Sequence, residues 1–311
     1  MKKLILKCFI FISPLVFSQP LLDRALRHSN CSLNYPEWNA IVDSKINADL
    51  IIQGNSRAWV HISPRVLDSV FNITTYNLGV DGYHFTMQYY RFLLYMKYNK
   101  KPKYIIQTAD YHTLGKGPDL WMYEQFIPYL NEEIIREIVV QYDGLDYKDL
   151  HVPFYKYINH SEVLNCAFRS LTGESVRPNG KYKGFQTFPA HWDSAFASFK
   201  KANPNGFSSM IDEPTLKLFD TFVRYCVDND IKLIFINSPS YYEATELLTN
   251  RAEIDSIYNS YSIKYNIPFL DYTNDSIGLD TVNFYNSQHM NTTGVIKFNA
   301  TLSNDLKEIL E

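Results

Sequence analysis

Short, uniformly apolar runs alternate along the chain with longer stretches in which apolar residues recur every three or four positions. "ADLIIQG" at 48–54, "TTYNLG" at 74–79, "KYIIQTAD" at 103–110, "IKLIFINSP" at 231–239 and "IPFLDYT" at 267–273 read as strands. Between them, 36–47, 84–101, 213–230 and 253–266 carry helical spacing, and the chain closes on a helix capped by Asn291 or Thr292. Pro36 lies near the start of the first helix, and lysines gather at the end of 84–101, where the helix dipole favours them. Strands apolar on both faces suit a parallel sheet covered on both sides. The expected fold is therefore α/β, three layers, with a parallel sheet.

Ligands of such sheets gather at the carboxyl ends of the strands. Those ends present Asn55-Ser56, Asn77-Leu78-Gly79, Asp110-Tyr111-His112 and Ser238-Pro239, and His289 lies on the loop before the closing helix. The stretch 113–212 is too long for a plain loop and mixes helical and aromatic segments. It reads as an insertion, a cap or partner surface, in which "DLWMYEQFIPYL" and "GFQTFPAHWDSAF" line either a glycan groove or an ordinary core.

Composition narrows the classes. The 311 residues support one large domain, and a net charge of −3 gives no basic footprint for nucleic acid. Among the 24 Tyr and 20 Phe, the tyrosines supply half-buried rings with polar tips. At the N-terminus Lys2-Lys3 precede an apolar run, Leu4 to Phe17, broken by Lys7 and Pro14. That run is short for a membrane span and suits a signal peptide or short anchor over residues 1–20, which leaves a domain at 21–311 outside the cytoplasmic membrane, released or tethered. Cys8 sits too early for a lipoprotein acceptor, and Cys31, Cys166 and Cys226 have no metal spacing and read foremost as buried free thiols, with one disulfide as the alternative. No metal and no cofactor are expected, since neither a ligand cluster nor a glycine-rich phosphate loop occurs.

Acyl transfer by serine needs a base, a group that orients the base, and donors for the oxyanion. Ser56 supplies a nucleophile, His289 a base and Asn286, three residues earlier, an orienter. The amides of Ser56 and Gly79, with Asn77 beside them, are candidate oxyanion donors. Arg57, Asp81, His84 and Asp110 lie close enough in the chain to touch substrate, and His61, His84 and His112 otherwise read as structural or exposed.

Gly54-Asn55-Ser56, Asn77-Leu78-Gly79 and Asn286-Ser287-Gln288-His289, in that order, resemble the SGNH/GDSL hydrolase superfamily over 48–112 and 213–311. "GNSRAWVHISP", "YNLGVDG", "SPSYYE" and "HMNTTG" are most similar to its extracytoplasmic Bacteroidetes-type branch. That branch resembles proteins assisting membrane-bound O-acyltransferases in alginate acetylation and teichoic-acid D-alanylation. The resemblance implies a flavodoxin-like sheet and an esterase or O-acyltransferase acting on acyl, foremost acetyl, esters of cell-surface glycans. It implies a glycan and a membrane-bound O-acyltransferase as partners. The chain departs from the pattern in three places. Asn55 stands where the family has aspartate. "QTADYH" lacks the asparagine block after the third strand, with Asp110 as its positional match. Asn286 replaces the aspartate of the Asp-x-x-His pair, which removes the charge that stabilises an imidazolium. Asp280 is a second residue in reach of that role by position. The rival expectation is a catalytically impaired binding or assembly protein on the same fold. A periplasmic binding protein fits less well, because no second α/β lobe is legible.

Overall fold

All four residues of the first strand, β1 (Leu50–Gln53), are buried, which only a strand flanked by neighbours and covered on both faces permits. The computed structural model describes residues 2–117, 119–174, 180–193 and 195–310. β1 lies between β2 (Thr75–Asn77) and β3 (Tyr104–Thr108), and β4 (Lys232–Asn237) and β5 (Phe269–Asp271) follow, in the order β2-β1-β3-β4-β5. Every pairing is parallel, with Ile51 opposite Tyr76 and Ile105, Ile105 opposite Leu233, and Ile236 opposite Leu270. The strands are the five apolar runs, trimmed to the residues that pair.

Alternate residues face two helical layers. Leu50, Ile52, Ile106, Ile234 and Ile236 pack with Ala58, Ile62, Leu67, Phe298 and Leu302. On the other face Phe235 meets Phe219 and Tyr258, and Phe85 and Phe92 meet Phe222 edge-on. The layers are supplied on one side by helices Ser56–His61, Pro64–Phe71 and Thr292–Asp305, and on the other by Phe85–Tyr98, Glu213–Asp228 and Arg251–Tyr265. The result is a three-layer α/β/α fold. Asn291, and not Thr292, caps the closing helix, accepting from the N–H groups of Thr293 and Gly294. Asn299 in that helix fixes it to the end of Ser56–His61. Its Nδ2 donates to His61 O at 2.7 Å, and its Oδ1 accepts from Ser63 N at 2.8 Å.

The chain divides into two compact units, and the sheet with its helices occupies 44–117 and 180–311. The other unit comprises 1–43 and 118–179. The expected insertion 113–212 is therefore split: only 118–179 leaves the α/β unit, and it shares a core with the N-terminal segment. The unit is helical, with Lys2–Arg27, Tyr35–Val42, Glu133–Val139 and Ser161–Leu171 as its longer helices. Leu26, Trp38, Ile41, Phe126, Ile127 and Ile138 are fully buried in it. A buried ion pair joins Lys156 Nζ to Asp23 at 2.7 Å, and Tyr157 Oη donates to the same carboxylate at 2.6 Å. The Lys2–Arg27 helix runs through residue 20, and Leu22 and Ala25 are buried as well. Among the described residues no helix is long and apolar enough to cross a membrane. Cys166 and Cys226 are buried free thiols, and Cys31 is half-buried.

Candidate active site

β1 is followed by Gly54, whose φ of +155° and surroundings require glycine: a Cβ there would lie 2.0 Å from Thr108 Oγ1. This close approach delivers Asn55 as the cap of the next helix, its Oδ1 accepting the Arg57 N–H at 2.9 Å. Ser56 is thereby the first helical residue, at the carboxyl edge of the sheet, and is partly exposed. Its own N–H belongs to the first turn, where backbone donors have no intrahelical acceptor.

His289 reaches the same edge from a tight loop. Tyr285 N donates to His289 O at 3.0 Å and closes it, and Asn286 Oδ1 accepts from the backbone N–H groups of Gln288 and His289 at 3.0 and 2.9 Å. The same oxygen lies 3.0 Å from His289 Nδ1. An oxygen already accepting two N–H groups is an acceptor here too, so Nδ1 carries the ring proton. Nε2 is left with its lone pair, 2.7 Å from Ser56 Oγ. Asn286 thus sets the tautomer of the imidazole without contributing charge. The Tyr285 ring stacks on that of His289 at 5.4 Å and 5°. Burial, with the Arg57 guanidinium and His112 adding to it, pushes His289 down to about 4, so the imidazole is neutral at pH 7.

A second histidine lies behind the first. His61 is fully buried, accepts the Met290 N–H on Nε2 at 2.9 Å, and turns Nδ1 to Ser238 Oγ at 2.7 Å. The Met290 bond fixes the proton on Nδ1, so His61 donates to Ser238. Burial holds this imidazole well below its ordinary range, with Arg57 and His289 adding to the effect. Nothing in the sequence around His61 marked it, because a six-residue helix is too short to display which face is inward.

The structure places Arg57 and Asp110, expected as substrate contacts, inside the fold. Both are buried and they pair with each other, Nη1 to Oδ1 at 2.5 Å, while Arg57 Nη2 donates to Ser238 O. Burial raises the Asp110 carboxyl and Arg57 opposes it. The pair ties the residue after Ser56 to the ends of β3 and β4.

Asn77 and Gly79 are likewise placed differently from the expected oxyanion donors. Asn77 Nδ2 donates to Ala58 O at 2.7 Å and Ile62 O at 2.9 Å, and its Oδ1 accepts the Gly79 N–H at 2.8 Å. Gly79 is glycine because a Cβ would lie 2.5 Å from Trp59 N. These two residues pack the loop after β2 onto the Ser56–His61 helix, and Gly79 N–H meets a substrate oxygen only by exchanging its bond to Asn77. His84 packs beside Gly115, Gly117 and His112, a structural placement in which burial lowers its pKa. Asp81 is exposed, within electrostatic reach of Lys181 and Tyr285. Asp280 caps Val282 N at 2.9 Å and leaves Asn286 as the partner of His289.

The arrangement is a serine hydroxyl on an imidazole lone pair, with the far ring nitrogen held by an amide oxygen. Such a set abstracts the hydroxyl proton during attack on a carbonyl and returns it to a leaving alkoxide. No protein-family model matches the chain, and no curated protein matches it. Its structure is similar to that of a candidate acylhydrolase from Bacteroides fragilis, at 13% identity and a TM-score of 0.42, over 89% of this chain and 96% of that one. It is similar also to that of a GDSL-like lipase from Bacteroides thetaiotaomicron, at 10% identity and a TM-score of 0.42, over 90% and 98% of the two chains.

Proposed function

We propose that the protein is an SGNH-type serine esterase or O-acyltransferase acting on acyl esters of cell-surface glycans outside the cytoplasmic membrane. The observation that carries this reading is the relay Ser56 Oγ–His289 Nε2 at 2.7 Å and His289 Nδ1–Asn286 Oδ1 at 3.0 Å. In the forward step Ser56 Oγ bonds to the ester carbonyl carbon as its proton passes to Nε2. The Ser56 N–H faces the developing oxyanion, which collapses as the C–O bond breaks and the leaving oxygen takes the proton from Nε2. Water or a sugar hydroxyl then attacks the acyl-serine with His289 again as base, giving hydrolysis or transfer. The extracytoplasmic setting rests on the Lys2-Lys3 start and the apolar run behind it. A membrane-bound O-acyltransferase would be the source or receiver of acyl groups.

The test is labelling of the full chain by a fluorophosphonate, with 4-nitrophenyl acetate turnover beside it. Labelling and turnover that vanish in Ser56→Ala support the reading. A chain that neither labels nor turns over, even as Asn286→Asp, overturns it. The second reading, an assembly protein with impaired chemistry, is favoured by two observations: an uncharged orienter and a Gly79 N–H already bonded to Asn77.

A further inference from the structure

Beside the relay, and lined in part by His289 itself, lies a cavity of about 260 Å³. It exceeds the roughly 150 Å³ that hold a benzene ring in an engineered protein cavity. Its walls are of two kinds. Tyr111, Phe199 and Phe207 form a chain of edge-on rings, 5.8 and 5.2 Å between centroids, with Phe196 beyond them. Opposed in character are the polar Gln288 and Asp193, the latter exposed. Asp193 is the one carboxyl side chain among the described lining residues, and no Lys or Arg is among them. The 286–289 loop that makes one wall is held by Tyr241 N, which donates to Ser287 O at 2.9 Å.

The side of the site matters. Once Nε2 has taken the Ser56 proton it must deliver it to the departing alcohol oxygen, so the alcohol lies on the His289 side of the serine. Apolar faces with a polar edge suit a ring that has C–H faces and a hydroxyl rim, and the volume takes one six-membered ring. An acidic Asp193 and a described lining without Lys or Arg disfavour an anionic occupant.

Building on the esterase or transferase reading, we propose that this cavity binds the alcohol moiety of the ester, a single neutral six-membered sugar ring. The same place receives the acceptor when the acyl group is transferred. Phe199 and Phe207 hold the ring faces, and Asp193 with Gln288 take its hydroxyls and exclude uronates.

The test separates this from the chemistry. Ligand-observed NMR on the full-length Ser56→Ala protein is run with a panel of methyl hexopyranosides and their matched uronates. At least one neutral sugar should bind saturably, its uronate at least tenfold more weakly. Phe199→Ala in the same background should weaken the neutral sugar about tenfold, the loss of roughly one aromatic contact. Phe199 is 41% exposed, so its truncation leaves the core intact, and Gln288→Leu is the second variant expected to weaken binding. This readout needs no turnover, so an inactive protein would fail the esterase test alone. No binding by any neutral sugar, or equal binding of the uronates, overturns the proposal. So does a Phe199→Ala protein that keeps its sugar affinity but changes its preference among 4-nitrophenyl acetate, butyrate and octanoate, because the cavity would then hold the acyl chain.

Discussion

The ring of His61 accepts the backbone N–H of Met290 at 2.9 Å, so the helix that begins with Ser56 ends by gripping the residue after His289. Ser56 and His289 are thereby referenced to one another through a buried side chain that bonds to neither Ser56 Oγ nor His289 Nε2. His61→Phe keeps the bulk but leaves the Met290 N–H and the Ser238 hydroxyl without this partner. Each unmade buried bond costs about 1–3 kcal/mol, and the summed loss should appear as a lower urea midpoint with the slope unchanged. If His61 positions the base, the folded variant should lose about tenfold in kcat with KM for 4-nitrophenyl acetate nearly unmoved, and its pH–rate profile should shift. A variant that is only less stable, with native kcat, limits His61 to a structural role.

Asn286 invites the reverse experiment. Its Oδ1 already accepts from two backbone N–H groups and from the imidazole, and an aspartate oxygen can accept all three in the same place. Asn286→Asp therefore adds charge with little change of shape. The carboxylate favours the imidazolium, so His289 should rise from about 4 toward its ordinary range. The acidic limb of kcat/KM should move up by a unit or more, and kcat at pH 8 should rise about tenfold or more, since a charge-assisted bond is roughly twice as strong as a neutral one. A limb that stays near pH 4 would show that burial and Arg57 alone govern the imidazole.

Much of this arrangement was legible in the chain, for identifiable reasons. The five strands announce themselves because both faces of the sheet are covered, so runs such as "LIIQ" and "LIFI" are apolar throughout. The order serine, glycine, histidine along successive strand ends indicated one edge. What stayed hidden depends on contacts between distant residues. Gly79 reads as a donor until Asn77 is seen to occupy its N–H. Arg57 reads as a substrate contact until Asp110, fifty-three positions on, is found against it. The division at residue 118 was not visible because 118–179 finds its core with 1–43, and no local pattern reports which remote segment a helix packs on.

Stability should depend on pH through the same histidine. Its folded value of about 4 lies below the ordinary 6.5, so between those values the unfolded chain binds more protons than the folded one. Its contribution is complete above pH 6.5 and is lost as pH falls toward 4. Buried carboxyls such as Asp110 and Asp23 have folded values raised by burial and act in the opposite sense, so the histidine is isolated by comparison with His289→Asn. Between pH 7 and pH 5 the native protein should lose about 1–2 kcal/mol more than the variant in urea titrations. Parallel losses in the two proteins would mean that His289 titrates normally in the fold.

The buried pair Arg57–Asp110 gives the sharpest test of how the Ser56–His61 helix is anchored. Removing one partner leaves a charge in the interior without compensation, a loss of about 3–5 kcal/mol in comparable cases, whereas replacing both with apolar groups of similar volume is often close to neutral. Arg57→Met alone should therefore unfold at much lower urea, and Arg57→Met with Asp110→Leu should recover most of the difference. The double variant should still lose activity. Arg57 Nη2 also holds Ser238 O, whose hydroxyl in turn is the partner of His61, so the support behind His289 is loosened even where stability returns. Thermal or urea unfolding of the three proteins, read beside 4-nitrophenyl acetate turnover, separates the two effects. A double variant as unstable as the single one would mean that the backbone anchor at Ser238, and not the charge pair, holds this end of the helix.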